Sequence, residues 1–292
     1  MLRRMLRGVL ATLLLSCMLV QVPVSAFAAS TLKVSVSVEQ DYKSAQRVLK
    51  LINARRRKAG LRAVKLDKKL TKSAIQRAAE VGIYTPQESP HRRPNGKLAR
   101  SVNRKISYEI CAGSTGGSRV TDAQIVKGWM ASPPHKKGIL LKSARSVGIA
   151  CINVGPGSYV WVCEFSNKKA AKVLKSAKQG VKLNKTMAAK AGYLAKKYFK
   201  LGYASSPNSE LYDDLWMGYP VQLAPLFEGR YVYGPTSLNA KSFTWKTSNP
   251  SVATVSAAGK VTPKAPGRVT ITATMKSRSS IQLKHTFEVY GD

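Results

Sequence analysis

Gly128-Trp129-Met130-Ala131-Ser132-Pro133-Pro134-His135-Lys136-Lys137-Gly138-Ile139-Leu140 decides how the first half of this chain is read. A helix carrying Trp129 meets two consecutive prolines, which lack an amide hydrogen and crowd the preceding turn, so it stops at Pro133. His135 stands just past the break, before the chain turns apolar again. Upstream, Pro90-His91-Arg92-Arg93-Pro94-Asn95-Gly96 reads as a tight polar turn around a second histidine. Between the two lies a lone acid, Glu109, in Ser107-Tyr108-Glu109-Ile110-Cys111-Ala112-Gly113. The chain has only 3 histidines, and two of them in such settings point to a shared cleft.

The flanking sequence supplies a core for that cleft. Ala45, Val48, Leu49 and Ile52 recur at helical spacing, and Gly60 ends that segment. A second helix is expected from the cap Asp67 through Leu70, Ala74, Ile75, Ala78 and Ala79, stopping at Gly82. Both read as core builders with no polar residue assigned a function. Residues 85–104, with Pro86, Pro90, Pro94 and Gly96, read as loop. Thr121-Asp122-Ala123-Gln124 is a capping box that opens a third helix, buried through Ile125, Val126 and Trp129.

Residues 146–152 and 159–165 read as strands joined by Asn153-Val154-Gly155-Pro156-Gly157-Ser158, a hairpin connection. A turn centred on Gly157 sets Cys151 opposite Cys163 and predicts a structural disulfide, with a bridge involving Cys111 as the alternative. Residues 31–38 alternate apolar and polar side chains as an extended lead-in. Residues 168–200 contain no acid; their first part reads as linker. Val181-Lys182-Leu183-Asn184-Lys185 fits a strand, while Met187, Ala191, Leu194 and Tyr198 fit a helix equally well. Beyond 242, short β-rich runs punctuated by Asn249-Pro250, Ala258-Gly259 and Pro266-Gly267 predict a small sandwich.

Composition sets the setting. Arg3, Arg4 and Arg7 precede an apolar run, and Ala26-Phe27-Ala28 offers small residues for cleavage, so 1–28 is expected to be a secretory signal peptide. Processing at Cys17 as a lipoprotein is the alternative. No later stretch reaches the ~20 apolar residues of a spanning helix. With 49 Lys+Arg against 14 Asp+Glu the formal charge is +35. Such a balance in an exported protein favours anionic partners: a cell-wall polymer, a lipid or a host surface component. No motif for sequence-specific nucleic-acid reading accompanies it. Cys111, Cys151 and Cys163 form an odd set of thiols where disulfides are permitted.

Read in order, these pieces resemble the bacterial branch of the CAP superfamily (cysteine-rich secretory proteins, antigen 5 and pathogenesis-related proteins). Leu51-Ile52-Asn53-Ala54-Arg55 and Leu61-Arg62-Ala63-Val64-Lys65-Leu66-Asp67 look like its opening helix and exit. His91-Arg92-Arg93-Pro94-Asn95-Gly96 is similar to its His-x-Arg-Pro-Asp/Asn-Gly turn, and Trp129-Met130-Ala131-Ser132-Pro133-Pro134-His135 to its Trp-Met-x-Ser-Pro-Gly-His segment. Val147-Gly148-Ile149 and Trp161-Val162-Cys163-Glu164-Phe165 occupy the places of two core strands. The resemblance implies an α+β chain: a CAP-type α-β-α sandwich over 43–167, followed by an all-β Ig-like sandwich.

Residues 243–274 resemble the second group of bacterial Ig-like domains, from Trp245-Lys246-Thr247-Ser248-Asn249-Pro250 to Pro266-Gly267-Arg268-Val269-Thr270-Ile271. That domain is expected over 206–292, with 168–205 a basic linker or the start of it. The CAP resemblance implies that His91, His135 and Glu109 face one cleft and are candidate ligands for zinc or another divalent metal. The family's Glu-Asn-Ile-Ala run stands as Glu109-Ile110-Cys111-Ala112, and the second acid found after the tryptophan in many members is absent. Cys111 is a candidate soft ligand or thiol nucleophile, or a buried core residue. His285 reads as structural.

The functional expectation is a secreted or wall-associated protein that binds a cell-envelope or host component. The alternative is a metal- or His/Glu-assisted hydrolase of wall or peptide bonds. Against it, the chain shows no nucleophile paired with a base and no His-Glu-x-x-His helix.

Overall fold

The computed structural model describes residues 31–84, 91–115, 119–204, 210–229 and 234–291. The expected signal peptide, with Cys17, lies outside the described residues. The first domain runs β1 (Thr31–Gln40), α1 (Tyr42–Lys58), β2 (Lys65–Leu66), α2 (Lys68–Ile83), β3 (Tyr108–Ser114), α3 (Asp122–Ala131), α4 (Pro133–Ile139), β4 (Ser146–Gly155), β5 (Ser158–Ser166) and β6 (Val181–Lys190). The second holds β7 (Phe199–Tyr203), β8 (Asp214–Trp216), β9 (Val221–Phe227), β10 (Thr236–Ser237), β11 (Phe243–Thr247), β12 (Ala253–Val255), β13 (Lys260–Pro263), β14 (Gly267–Met275) and β15 (Gln282–Tyr290).

Alternation along β4 and β5 builds the first domain. Ala150, Ile152, Val160 and Val162 point to one face of the sheet and pack with Ala74, Ile75 and Ala78 of α2. Ile149, Cys151, Trp161 and Cys163 point to the other and pack with Val48 and Ile52 of α1 and Ile125 and Trp129 of α3. The sheet order is β3-β5-β4-β1-β6, with β2 parallel to β4, which makes an α-β-α sandwich. The expected caps are present: Asp67 accepts from Leu70 N at 2.8 Å, and Thr121 and Gln124 close the capping box. Proline at the first position suits a new helix as well as it ends an old one, so α4 starts at Pro133 and carries His135.

The hairpin corrects one expectation. Cys151 and Cys163 are free, as is Cys111, and all three are buried. The turn centres between Pro156 and Gly157, with Gly157 at φ 60°, and an irregularity between Asn153 and Gly155 shifts the register again. Cys151 therefore faces Trp161 and Cys163 faces Ile149. The two thiols sit diagonally on one sheet face, and the directly opposed geometry behind the predicted bridge is lost.

The segment expected as linker divides between the domains. Residues 181–190 form β6, which pairs antiparallel with β1 along its whole length, from Thr31↔Lys190 to Gln40↔Val181. The strand pattern prevails over the helical one because β1, an unpaired lead-in when read alone, offers a full edge to hydrogen-bond. The sheet of the first domain thus extends beyond 43–167 on both sides. Residues 199–203 form β7, paired with β9 of the second domain. There two sheets, β10-β9-β13-β12 with β7, and β11-β14-β15-β8, enclose Leu223, Val261, Ile271 and Phe287.

The two domains share a core. Val34, Val36 and Val38 of β1 belong to the same apolar cluster as Phe227, Leu238, Phe243 and Met275 of the second domain. Asn239 N donates to Ser35 O at 2.8 Å. A Cβ at Gly155 would lie 2.2 Å from Pro235 O, so only glycine allows that approach. Thr236, fully buried, donates from Oγ1 to Gly82 O at 2.5 Å. Thr236→Val keeps the shape and removes that donor, and is expected to lower stability by about 1–2 kcal/mol. Urea unfolding checks it: an unchanged midpoint would show that the junction bond contributes nothing.

Candidate functional site

The predicted cleft residues meet beside β3, an edge strand. Glu109 and Cys111 lie two residues apart on β3 and so project to the same sheet face, over α2. The turn after residue 90 brings His91 to them, with Nδ1 3.0 Å from Glu109 Oε1 and 43 % of the side chain exposed. That turn is held by Ala99 N donating to His91 O at 2.7 Å and by Gly96 N donating to Arg93 O at 2.8 Å.

Glu109 is bound more tightly by a residue not singled out from the sequence. Arg77 on α2 donates from Nε to Oε2 at 3.0 Å and from NH2 to Oε1 at 3.1 Å. Its NH1 donates to Glu80 Oε2 at 2.8 Å, and Arg93 reaches Glu80 Oε1 at 2.6 Å. The Arg77 and Glu80 side chains are 0 % exposed, so this is an ion-paired network inside the domain. Burial works against the charge on Glu109, but Arg77 and the His91 hydrogen bond outweigh it and hold the carboxyl below its usual range. Burial likewise opposes the Arg77 charge, while Glu109 and Glu80 raise its pKa. Glu164, directly opposite Glu109 on β5, shifts the other way: burial and the Glu109 charge push its pKa well above the usual value, against a hydrogen bond with Ser73.

His135 reaches the site around the sheet edge. Its Nδ1 lies 2.8 Å from Ser132 Oγ, and the Cys111 backbone supplies a second hydrogen bond to the ring. Trp129 Nε1 donates to Cys111 O at 3.4 Å. Tryptophan and histidine together cover the free edge of β3, a place where an unpaired carbonyl would invite another strand. Burial, then the nearness of His91, lower the His135 pKa against that backbone bond.

Ligand atoms of His91, Glu109 and Cys111 lie within 4.8 Å of one another, a spacing a metal can use. Their chemistry in this arrangement does not fit a divalent cation. Both Glu109 oxygens are committed to a guanidinium that a cation would have to displace. Burial, reinforced by Glu109, pushes the Cys111 thiol up to about 12, so it is a neutral thiol in this arrangement. His135 is not in that group, and its ring is held by Ser132 and the Cys111 backbone. The same thiol pKa disfavours Cys111 as a nucleophile. The arrangement can bind and orient through His91 and the rim of the turn.

Charge is sorted by burial. Asp67, Glu80, Glu109, Asp122 and Glu164 are all the described acids of residues 43–167, and every one is buried. Asp122 pairs with Arg47 at 2.7 Å and accepts from Ser44, while Arg119 bonds Asp41 at 2.9 Å. Most exposed lysines and arginines of residues 43–167 have no ion-pair partner among the described residues; Arg47, paired with Asp122, is an exception, and Glu39 on β1 is an exposed acid beside Lys182. On the second domain, by contrast, Glu210, Asp213 and Asp214 are exposed beside Tyr212 and Trp216. His285 sits on β15, with its ring edge-on to Phe287 at 4.6 Å, apart from the cleft.

Arg77, Glu80, Arg93, Ser73 and Glu164 escaped the sequence reading. One signal was available: Arg77 and Glu80 stand at i and i+3 between Ala74, Ala78 and Val81, a polar pair inside an apolar helix face.

Comparison with known proteins accounts for both halves. Residues 49–165 match the family model of CAP, the cysteine-rich secretory protein family, and residues 232–284 match that of the bacterial Ig-like domain, group 2. The protein YkwD of Bacillus subtilis (strain 168) is 28% identical over 125 residues, 42% of this chain and 47% of that protein. The chain thus matches about half the length of that curated relative. An extracellular protein containing an SCP domain from Bacillus anthracis aligns with TM-score 0.34 at 16% identity, over 44% of this chain and 41% of that one. A cysteine-rich secretory protein from Staphylococcus aureus aligns with TM-score 0.29 at 17% identity, over 44% and 39%. The chain carries a CAP domain followed by a bacterial Ig-like domain.

Proposed function

We propose that the CAP domain is the binding head of an exported envelope protein, that it holds an anionic polymer of the cell wall or a host surface on its cationic face, and that the Ig-like domain supports it. The observation that carries this reading is the sorting of charge: each described acid of residues 43–167 is buried, and the basic surface is left with few neutralising pairs, Arg47 with Asp122 and Lys182 with Glu39 among them. A surface of one sign attracts polyanions over about a Debye length, ~8 Å at physiological salt. A signal peptide over 1–28 puts the head where such polymers are found. Hydrolysis is not the favoured reading, because His91 is oriented by Glu109 while burial pushes the neighbouring Cys111 thiol up to about 12.

Binding of the full chain to linear polyglutamate tests this by fluorescence anisotropy. Affinity is expected to fall at least tenfold between 50 and 300 mM NaCl, to fall again in Lys136→Glu/Lys137→Glu, and to stay within twofold in His91→Ala. Salt-insensitive binding would overturn the reading.

A further inference from the structure

A cleft of about 830 Å³ lies between the two domains, away from His91, and is walled by β1, the β4–β5 turn, β6 and the segment around β10. Its volume is in the range of small-molecule sites, about 300–1,000 Å³. The floor is a polar ladder across β1 and β6, in which Ser37 faces Asn184 and Glu39 faces Lys182.

The side chains of the cleft have an asymmetric hydrogen-bonding capacity. Asn153 Oδ1 accepts from Gly155 N at 2.9 Å, Asn184 Oδ1 from Ser37 Oγ at 3.0 Å, and Asn239 Oδ1 from Lys241 N at 3.0 Å. In each amide the oxygen already accepts one bond inside the protein, while neither hydrogen of the NH2 group has a partner among the described residues. Lys241 adds an ammonium with no ion-pair partner among the described residues, and Lys182 is loosely held at 3.9 Å by Glu39, the one described acid lining the cleft, so the two lysines outnumber it. The Tyr159 ring lines the same cleft. An NH2 group has two donors to offer and nothing to accept with, so a set of them selects a ligand dense in acceptor oxygens. The lysines select negative charge, and an aromatic face suits the flat C–H side of a sugar ring.

We propose that this junction cleft is a binding site for an acidic oligosaccharide, recognised by the amide donors of Asn153, Asn184 and Asn239 and the charges of Lys182 and Lys241. The proposal rests on the envelope-binding reading for the sign of the ligand and adds a shaped site that a merely basic surface lacks. Both domains contribute to it, which gives their shared core a consequence for binding.

Asparagine to aspartate is the informative change. It preserves the internal bond through Oδ1, suits the cap position that Asn239 occupies, and replaces the outward NH2 by an acceptor. Asn184→Asp and Asn239→Asp are compared with Ser279→Asp, an exposed position outside the cleft that adds the same charge. The probe is a hexamer of galacturonic acid, titrated calorimetrically into the full chain at 150 mM NaCl beside the neutral hexamer of galactose and linear polyphosphate. Expected is binding of the acidic hexamer at least tenfold tighter than the neutral one, weakened fivefold or more by each asparagine change and less than twofold by Ser279→Asp. Equal weakening by all three variants would overturn the cleft and leave the basic surface standing. Polyphosphate binding that matches the hexamer and ignores the asparagine changes would do the same. No binding of either polyanion would overturn both readings. Unchanged unfolding midpoints confirm that the variants are folded.

Discussion

Arg77→Met is expected to lower the stability of the chain by about 3–5 kcal/mol, the range seen when one partner of a buried ion pair is removed. The loss comes from what is left behind. Glu109, 4 % exposed, loses both guanidinium bonds and keeps only the His91 contact, and Glu80, 0 % exposed, loses one of its two arginines and keeps Arg93 and Gln76. Methionine fills much of the volume but donates nothing, so Glu109 is left without a cationic partner of its own in a low-dielectric interior and Glu80 is left less well compensated. The same argument predicts a partial rescue: Glu109→Gln in the Arg77→Met background removes one stranded charge and restores part of the loss. Arg93→Met, at the exposed end of the network, costs less than Arg77→Met because Glu80 retains Arg77. Urea unfolding of the four proteins measures all of this. A loss below about 1 kcal/mol for Arg77→Met would mean that water or neighbouring groups replace the guanidinium, and the network would not be what fixes Glu109 under His91.

How much of this was legible beforehand depends on the range of each signal. Local patterns were readable: the Asp67 and Thr121 caps, the apolar stripes of α1 to α3, and the hairpin after β4 are set by near neighbours in sequence. The meeting of His91, Glu109 and His135 came from resemblance, because sequence order says nothing about distance in space. The disulfide expectation failed on two small displacements, the centre of a turn and an irregularity at Asn153, which together moved the partner of Cys151 from Cys163 to Trp161. The β1–β6 pairing joins strands about 150 positions apart, so neither strand could be judged from its own residues. Arg77 and Glu164 were hidden for another reason. A charged residue inside an apolar stripe reads as noise until the opposite charge, or the proton, that makes it tolerable is found on another element.

Glu164→Gln is expected to stabilise the chain increasingly as pH rises above the ordinary carboxylate range. Glu164 is fully buried, its Oε1 has no hydrogen-bond partner among the described residues, and its strand neighbour Glu109 is ionised against Arg77. Ser73 Oγ, which receives a bond from Asn103 Nδ2 at 3.3 Å, shares its hydrogen between Leu70 O at 2.9 Å and Glu164 Oε2, so this one donated bond opposes the loss of charge without offsetting burial. Burial, then the Glu109 charge, keep the carboxyl protonated well above the usual range. In the unfolded chain the same group ionises near pH ~4.3, so over the interval between the two pKa values the folded state binds more protons than the unfolded state. Stability is therefore lost as pH rises through that interval, by about 1.4 kcal/mol for each pH unit. Glutamine cannot ionise, and its Oε1 can accept the Ser73 hydroxyl in place of the carboxyl oxygen. Glu109 acts in the opposite sense: its lowered pKa contributes stability above the ordinary carboxylate range that is lost as pH falls through its folded value, and it does so in both proteins. Subtracting the unfolding free energies of wild type and Glu164→Gln from pH 4.5 to 8 isolates Glu164. A difference that grows with pH and then levels reports the retained proton. A flat difference would mean that Glu164 is ionised in the fold, with a compensating charge that the described residues do not supply.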